Sequence, residues 1–321
     1  MKTNIVYQET CLETLKKMPN EFLDCVITSP PYWQLRDYGH KDQWGLEPTF
    51  NDYLENLWSM MDEIYRVLKP SGTVWINLGD TYNTISGGVR GLERAKKENR
   101  KQSISKKNII GQGFQQQKSK EIKNKCLLLI PHRFAIGCID RGWIVRNDVI
   151  WAKRNGMPES VTDRFSKKHE YFFLMVKYEK YFFDLDAIRD KHIWGEKYKR
   201  AKGGRHESKG LSESNQYATN AVAYHTNGKN PGDVSDFWDI PTKPSSNEHY
   251  ASYNDALLRK PILAGCPENG LVYDPFMGTG STAEVAIRAN RNFIGSEINS
   301  DYIEICNKRL KPFLESYKLE F

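Results

Sequence analysis

Between Leu271 and Glu297 the chain reads as a strand, a glycine loop, a helix, a second strand and an acid, and few folds admit that succession. Leu271-Val272-Tyr273 is a short apolar run. Asp274-Pro275-Phe276-Met277-Gly278-Thr279-Gly280-Ser281-Thr282 follows it and opens a predicted helix near Ser281 to Ala289. Phe293-Ile294-Gly295 is the next strand, and Glu297 stands at its end. Glycines let a backbone turn tightly and come close to a ligand, and the helix start that follows can face that ligand. An acid about twenty residues further on commonly bonds ribose hydroxyls. Gly-x-Gly alone would serve equally as a structural turn beside a surface glutamate; the whole succession argues for a cofactor site. The Gly-Lys-Ser/Thr ending of a phosphate loop is missing, so the loop suits a nucleoside cofactor without phosphates. The Gly-x-Gly-x-x-Gly expected of a nicotinamide dehydrogenase is missing as well.

The same alternation runs through the rest of the chain. Strands are predicted at Asn4 to Tyr7, Asp24 to Thr28, Thr73 to Leu78, Trp143 to Trp151 and Tyr171 to Val176. Helical spacing joins Cys11, Leu12, Leu15 and Met18, and a longer amphipathic helix runs from Tyr53 to Leu68. For that helix Asn51-Asp52 offers a start cap and Lys69-Pro70-Ser71-Gly72 a turn that ends it. Further helices are expected at Leu127 to Asp140, Tyr253 to Ala264 and Tyr302 to Leu310. Strands alternating with helices predict an α/β fold with a doubly wound, mostly parallel, Rossmann-like sheet. Two polar, glycine-bearing, basic stretches interrupt it, near 85–125 and 186–236. They read as insertions. The expected organisation is thus one domain in two halves, 1–185 and 237–321, with 186–236 inserted between them.

Composition narrows the class. Hydrophobic residues make up 39%, enough for a core, and no apolar run approaches the roughly 20 residues of a spanning helix. No apolar signal segment follows Met1, so a cytoplasmic protein without membrane contact is expected. Cys11, Cys25, Cys126, Cys138, Cys266 and Cys306 are scattered, form no Cys-x-x-Cys pair and read as buried thiols. The seven histidines lack ligand spacing too, and no metal site is expected. Net charge is +7, with cations gathered in the two insertions, for example Arg94, Lys96 and Lys97, then Lys199, Arg200 and Lys202. Such loops are either solvated or ordered on a phosphate backbone.

A second loop, Thr28-Ser29-Pro30-Pro31-Tyr32-Trp33, leaves the strand that ends at Ile27. Ligands of open α/β sheets bind outside the carboxyl ends of strands, so both loops can face one crevice. Successive prolines stiffen the backbone and leave the Pro30 carbonyl able to accept a hydrogen bond. Tyr32 adds a π-face on which a base could stack. A rigid surface turn with two aromatics beneath it would leave the same residues.

Ser-Pro-Pro-Tyr behind a hydrophobic strand resembles the catalytic motif of amino-methyltransferases of DNA, and Asp274 to Gly280 resembles their cofactor motif. The order, catalytic motif first and cofactor motif last, is similar to that of the β class. Ile76 to Tyr82 resembles the strand and loop beside the target pocket, Arg146 to Trp151 a later strand, and His249 to Tyr253 the segment that packs on the cofactor. The resemblance implies S-adenosylmethionine as cofactor, held by Asp274, Pro275, Phe276, Gly278, Gly280, Ser281, Thr282, Glu297 and Tyr253. It implies double-stranded DNA as substrate, a cognate restriction endonuclease as partner, and residues 186–236 as the target-recognition region. Where relatives carry an acid near the first strand that contacts the adenine, this chain has Glu9-Thr10-Cys11. Thr10 takes that place, and Glu9 or Thr10 would substitute for the acid.

The implied catalytic set is Ser29, Pro30, Pro31 and Tyr32. An exocyclic amino nitrogen is a poor nucleophile because its lone pair is delocalised into the ring. The Ser29 hydroxyl and the Pro30 carbonyl, accepting its hydrogens, would favour a tetrahedral nitrogen and stabilise the charge that develops on it. The base must leave the duplex to be reached, and Tyr32 would stack on it. Serine before Pro-Pro-Tyr is associated with N4 of cytosine and aspartate with N6 of adenine. The reading is therefore a site-specific cytosine-N4 DNA methyltransferase, with adenine-N6 as the alternative. RNA or a protein glutamine as the acceptor, or a catalytically idle DNA-binding module, are further rivals. The enzyme is expected to be a monomer or a homodimer.

Overall fold

Reciprocal caps set where the first helices begin. Thr10 accepts from the Glu13 N–H while Glu13 accepts from the Thr10 N–H, which starts α1 (Cys11–Lys17) behind strand β1 (Ile5–Tyr7). Thr49 and Asp52 repeat the arrangement at α2 (Phe50–Val67), so the cap lies two residues before the expected Asn51, and Asp52 closes the box from inside the helix. The computed structural model describes residues 1–83, 119, 121–156, 159–189, 235–242 and 254–317.

Strand β2 (Leu23–Thr28) lies between α1 and α2, and β3 (Leu68–Leu78) follows α2 directly. Lys69 to Gly72 does not form the expected turn. Leu68 pairs with Leu23 and Thr73 with Cys25, so these four residues bulge from a strand that has already begun. Then come α3 (Ile130–Asp140), the hairpin strands β4 (Ile144–Ala152) and β5 (His169–Val176), and the short β6 (Phe237–Asp239), which the sequence reading missed. The chain closes with α4 (Asp255–Gly265), β7 (Leu271–Asp274), α5 (Ser281–Arg288), β8 (Asn292–Ser296) and α6 (Ser300–Tyr317).

The strands form one sheet in the order β1-β8-β7-β2-β3-β5-β4-β6. Strand β5 runs against both its neighbours, and every other adjacent pair is parallel. The carboxyl ends of β2, β3, β4, β7 and β8 and the beginning of β5 therefore share one edge. Helices cover both faces, so central strands are buried on both sides and read as continuous apolar runs. Along β3, Val74, Ile76 and Leu78 join the core beneath α1 to α3, while Trp75 points into the opposite core with Ile262, Ala286 and Phe293.

Five cysteines are buried, as expected, but Cys126 is exposed, because it lies in the irregular approach to α3. Burial pushes the Cys11 and Cys25 thiols up to about 12. Among the described residues no cluster of His, Cys, Asp or Glu could hold a metal ion, and no helix is long and apolar enough to cross a membrane. The chain divides into two units. One, Met1–Phe183 with Asp236–Phe321, contains the sheet; in the other, Asp184–Ser235, the described residues are 184–189 and 235, with a short 3-10 turn at Asp186–Ile188. The two basic stretches lie largely outside the described residues.

Candidate active site

Strands β2 and β7 are neighbours, so the loops that leave them emerge side by side. A buried carboxylate ties them together. Asp274, at the end of β7 and only 2% exposed, accepts from Thr28 Oγ1 at 2.6 Å through one oxygen and from Thr282 Oγ1 at 2.6 Å through the other. The Phe276 N–H adds a bond of 3.0 Å. Burial raises the Asp274 carboxyl above the usual range, and the three donors pull it back. Aspartate at this place thus joins the end of β2, the glycine loop and the first turn of α5.

The glycine loop turns where only glycine fits. Gly280 has φ +84°, and a Cβ there would lie 2.4 Å from Cys306 Sγ of α6. Glu297, just beyond β8, accepts from the Gly278 N–H at 2.8 Å through one oxygen and from the Asn299 N–H at 2.8 Å through the other. Each oxygen keeps a second lone pair. Burial raises this carboxyl too.

The loop after β2 is braced from beneath. Tyr53 of α2 donates to the Pro31 carbonyl at 2.8 Å. Burial pushes the Tyr53 phenol well above its usual range, so it remains a donor. Trp33 is buried and donates its indole N–H to the Glu47 carbonyl at 3.0 Å. Tyr32 is half-buried, and its hydroxyl donates toward Glu170 Oε2 at 2.8 Å and Asn77 Oδ1 at 3.0 Å. Ser29 Oγ donates to the same phenol oxygen at 3.4 Å. Gly79 leaves room for the Tyr32 ring, since a Cβ there would fall 2.6 Å from Tyr32 Cε2.

Both loops open into one cavity of about 580 Å³. The expected catalytic residues Ser29, Pro30, Pro31 and Tyr32 line it. From the cofactor loop Asp274, Pro275, Phe276, Gly278, Ser281 and Thr282 reach it, as do Glu297 and, from beyond the neighbouring β1, Thr10 with Glu9. Gly280 does not line the cavity; it shapes the turn. Tyr253 lies outside the described residues. Several lining residues carried no functional assignment from sequence. Trp44 packs edge-on against Phe276 with ring centroids 5.3 Å apart, closing the cavity between the two loops. Asn77, Lys153 and Glu170 approach from β3 and the β4–β5 hairpin. Asn77 had two signals, an amide inside the apolar run Ile76 to Leu78 and the resemblance of Ile76 to Tyr82 to the segment beside the target pocket; Glu170, at the head of Tyr171-Phe172-Phe173, had none.

A doubly wound sheet, a glycine loop tied to an acid and a proline-stiffened loop beside it define an enzyme that brings a nucleoside cofactor against a second substrate. Residues 23–308 match the family described as DNA methylase, and the chain belongs to that family, the amino-methyltransferases of DNA. It is 32% identical over 306 residues to the Type II methyltransferase M.Cfr9I of Citrobacter freundii, covering 95% of this chain and 87% of that one. It is 34% identical over 298 residues to M.SmaI of Serratia marcescens, covering 93% and 87%. Among solved structures, the PvuII DNA methyltransferase (cytosine-N4-specific) shares the fold with a TM-score of 0.61 at 16% identity, over 99% of this chain and 92% of that one. A DNA modification methylase from Thermus thermophilus, complexed with S-adenosyl-L-methionine, aligns with a TM-score of 0.54 at 18% identity, over 95% and 91%.

The methyl donor of this family is S-adenosylmethionine. The residues present fit it: a carboxylate with spare lone pairs at Glu297, a loop without a phosphate-binding lysine, and the apolar faces of Phe276 and Trp44.

Proposed function

We propose that this chain transfers the methyl group of S-adenosylmethionine to the exocyclic N4 of cytosine at a specific site in double-stranded DNA. The observation that carries the reading is Ser29 at the cavity wall, on the proline-stiffened loop, with its hydrogen directed at Tyr32 Oη. A serine whose hydrogen is engaged elsewhere offers its lone pairs to an amino group. Serine, not aspartate, at the head of Pro-Pro-Tyr favours cytosine over adenine. S-adenosylmethionine, when bound, supplies an electrophilic methyl on a sulfonium centre. Ser29 Oγ and the Pro30 carbonyl accept the two amino hydrogens, and Tyr32 holds the extruded base by its ring. Fixed acceptors need no reorganisation as charge develops on the reacting nitrogen.

Glu297 bonds the ribose hydroxyls, and Thr10 with Glu9 stands where the adenine lies. Residues 186–236 and the basic stretch near 85–125 grip phosphates, so DNA binding is steeply salt-dependent, and residues 186–236 read the site. The relatives named Type II methyltransferases support a restriction endonuclease as functional partner.

The test incubates the protein with unmethylated DNA and S-adenosylmethionine, digests the DNA to nucleosides and weighs them. N4-methylcytosine is the expected product. N6-methyladenine would overturn the base assignment alone. Absence of any methylated nucleoside across DNA of varied sequence would overturn the activity.

A further inference from the structure

A serine hydroxyl is both donor and acceptor, so its use as an acceptor for an amino group needs a destination for its own hydrogen. The chain of contacts behind Ser29 supplies one. Tyr32 Oη has a single hydrogen, and two oxygens compete for it: Glu170 Oε2 at 2.8 Å and Asn77 Oδ1 at 3.0 Å. The Asn77 amide is fixed in orientation because its Nδ2 donates to the Tyr171 carbonyl at 3.0 Å. An ionised carboxylate only accepts. The other Glu170 oxygen is bound by the Lys153 ammonium, whose Nζ also sits 4.2 Å from the centroid of the Trp151 ring. Tyr32 can therefore receive from Ser29 only by giving its own hydrogen inward, and the direction of the chain is set: Ser29 to Tyr32 to Glu170. The 3.4 Å step is long, as catalytic hydrogen bonds often are before substrate tightens them.

We propose that Glu170 is the terminal acceptor of a proton relay that begins at the substrate nitrogen and runs through Ser29 and Tyr32. The inference rests on the amino-methyltransferase reading of the site. As the nitrogen–methyl bond forms and the methyl–sulfur bond breaks with its electron pair left on sulfur, the nitrogen holds one proton too many. That proton passes to Ser29 Oγ, the serine's proton to Tyr32 Oη, and the phenol's proton to Glu170 Oε2. The methylated amine ends neutral, Ser29 and Tyr32 end as they began, and Glu170 ends as a carboxylic acid that returns its proton to water through the cavity it lines. Glu170 is a positioning residue in this scheme. Its charge draws both hydroxyl hydrogens away from the substrate, and it never touches the base.

The test compares wild type with Glu170→Gln and Tyr32→Phe in single turnover at saturating cofactor and DNA. Glutamine keeps the shape of glutamate, and phenylalanine keeps the ring that stacks. Each variant is expected to slow methyl transfer at neutral pH about 10- to 100-fold, with cofactor and duplex dissociation constants within about twofold of wild type by calorimetry and fluorescence anisotropy. The double variant is expected to be no slower than the worse single one, because both cut the same chain. A solvent isotope effect separates a relay from a brace. In D2O the wild-type single-turnover rate should fall, because the relayed protons are exchangeable, and the effect should shrink toward unity in Glu170→Gln and Tyr32→Phe, where the chain is cut. Glu170→Asp is expected to restore part of the rate and of the isotope effect. Additive losses, an isotope effect unchanged in Glu170→Gln, or a Glu170→Gln rate within twofold of wild type would overturn the relay. A wild type that methylates no DNA would instead overturn the activity on which it rests.

Discussion

The loops after β2 and β7 leave adjacent strands and share one wall, yet they are built by opposite means. The loop after β2 is made stiff by Pro30 and Pro31 and is braced by side chains from other elements: Tyr53 beneath Pro31, and Asn77 and Glu170 on Tyr32. The loop after β7 is made supple by glycine and is held by two carboxylates, Asp274 at its start and Glu297 from the end of β8, through backbone N–H groups and threonine hydroxyls. The difference follows from what each loop presents. The first presents side-chain groups to a reacting atom, and such groups work when their supports are rigid. The second brings its backbone close to a ligand, and side chains there would obstruct the approach.

The sharpest way to break this contrast is Ser29→Ala. Methyl transfer should fall about 100-fold or more with cofactor affinity unchanged in a calorimetric titration. Equal losses in both would show that the two loops are not functionally separate. Gly280→Ala should produce the reverse pattern. It sets a Cβ 2.4 Å from Cys306 Sγ at a φ of +84°. A stability loss of about 2 kcal/mol, read as a lowered Tm, should accompany weak cofactor binding, with the order of the Pro-Pro loop preserved in hydrogen exchange.

Glu297 sharpens the contrast through pH. Its carboxyl is raised above the ordinary range by burial. As pH falls from neutral it loses its charge before an ordinary glutamate would, so cofactor affinity should decline early on acidification. Glu297→Gln should bind cofactor about tenfold more weakly and with little dependence on pH. A wild-type affinity that stays constant down to the ordinary glutamate range would remove Glu297 from the site. The smallest expected effect is at Thr10, which has two uses. Its side chain caps α1, and the residue also lines the cavity. Thr10→Ala should cost about 1 kcal/mol through the cap alone. Thr10→Asp, which keeps a capping oxygen, then asks whether cofactor affinity responds to a carboxylate at that place.

The sequence by itself determined the succession of strands and helices apart from the short β6, the two loops and their order along the chain. Those properties are local: periodicity, glycine and proline placement and capping patterns act within a few residues. Its errors were local as well. Lys69 to Gly72 has the composition of a turn, but pairing with Leu23 had already drawn Leu68 into the sheet. Asn51 has the composition of a cap, but Thr49 and Asp52 close a better box.

Only the tertiary structure decided what stands behind the loops. Thr28 and Asp274 are 246 residues apart and share a hydrogen bond of 2.6 Å; Tyr32 and Glu170 are 138 apart and meet at 2.8 Å. No periodicity in the sequence announces either pair, because sheet order, not chain order, brings them together. Strand β7 inserts beside β2, and β5 enters against β3, placing the Glu170 carboxylate at the edge where parallel strands end. The chemistry of each residue was written locally, and its partner was chosen by the sheet.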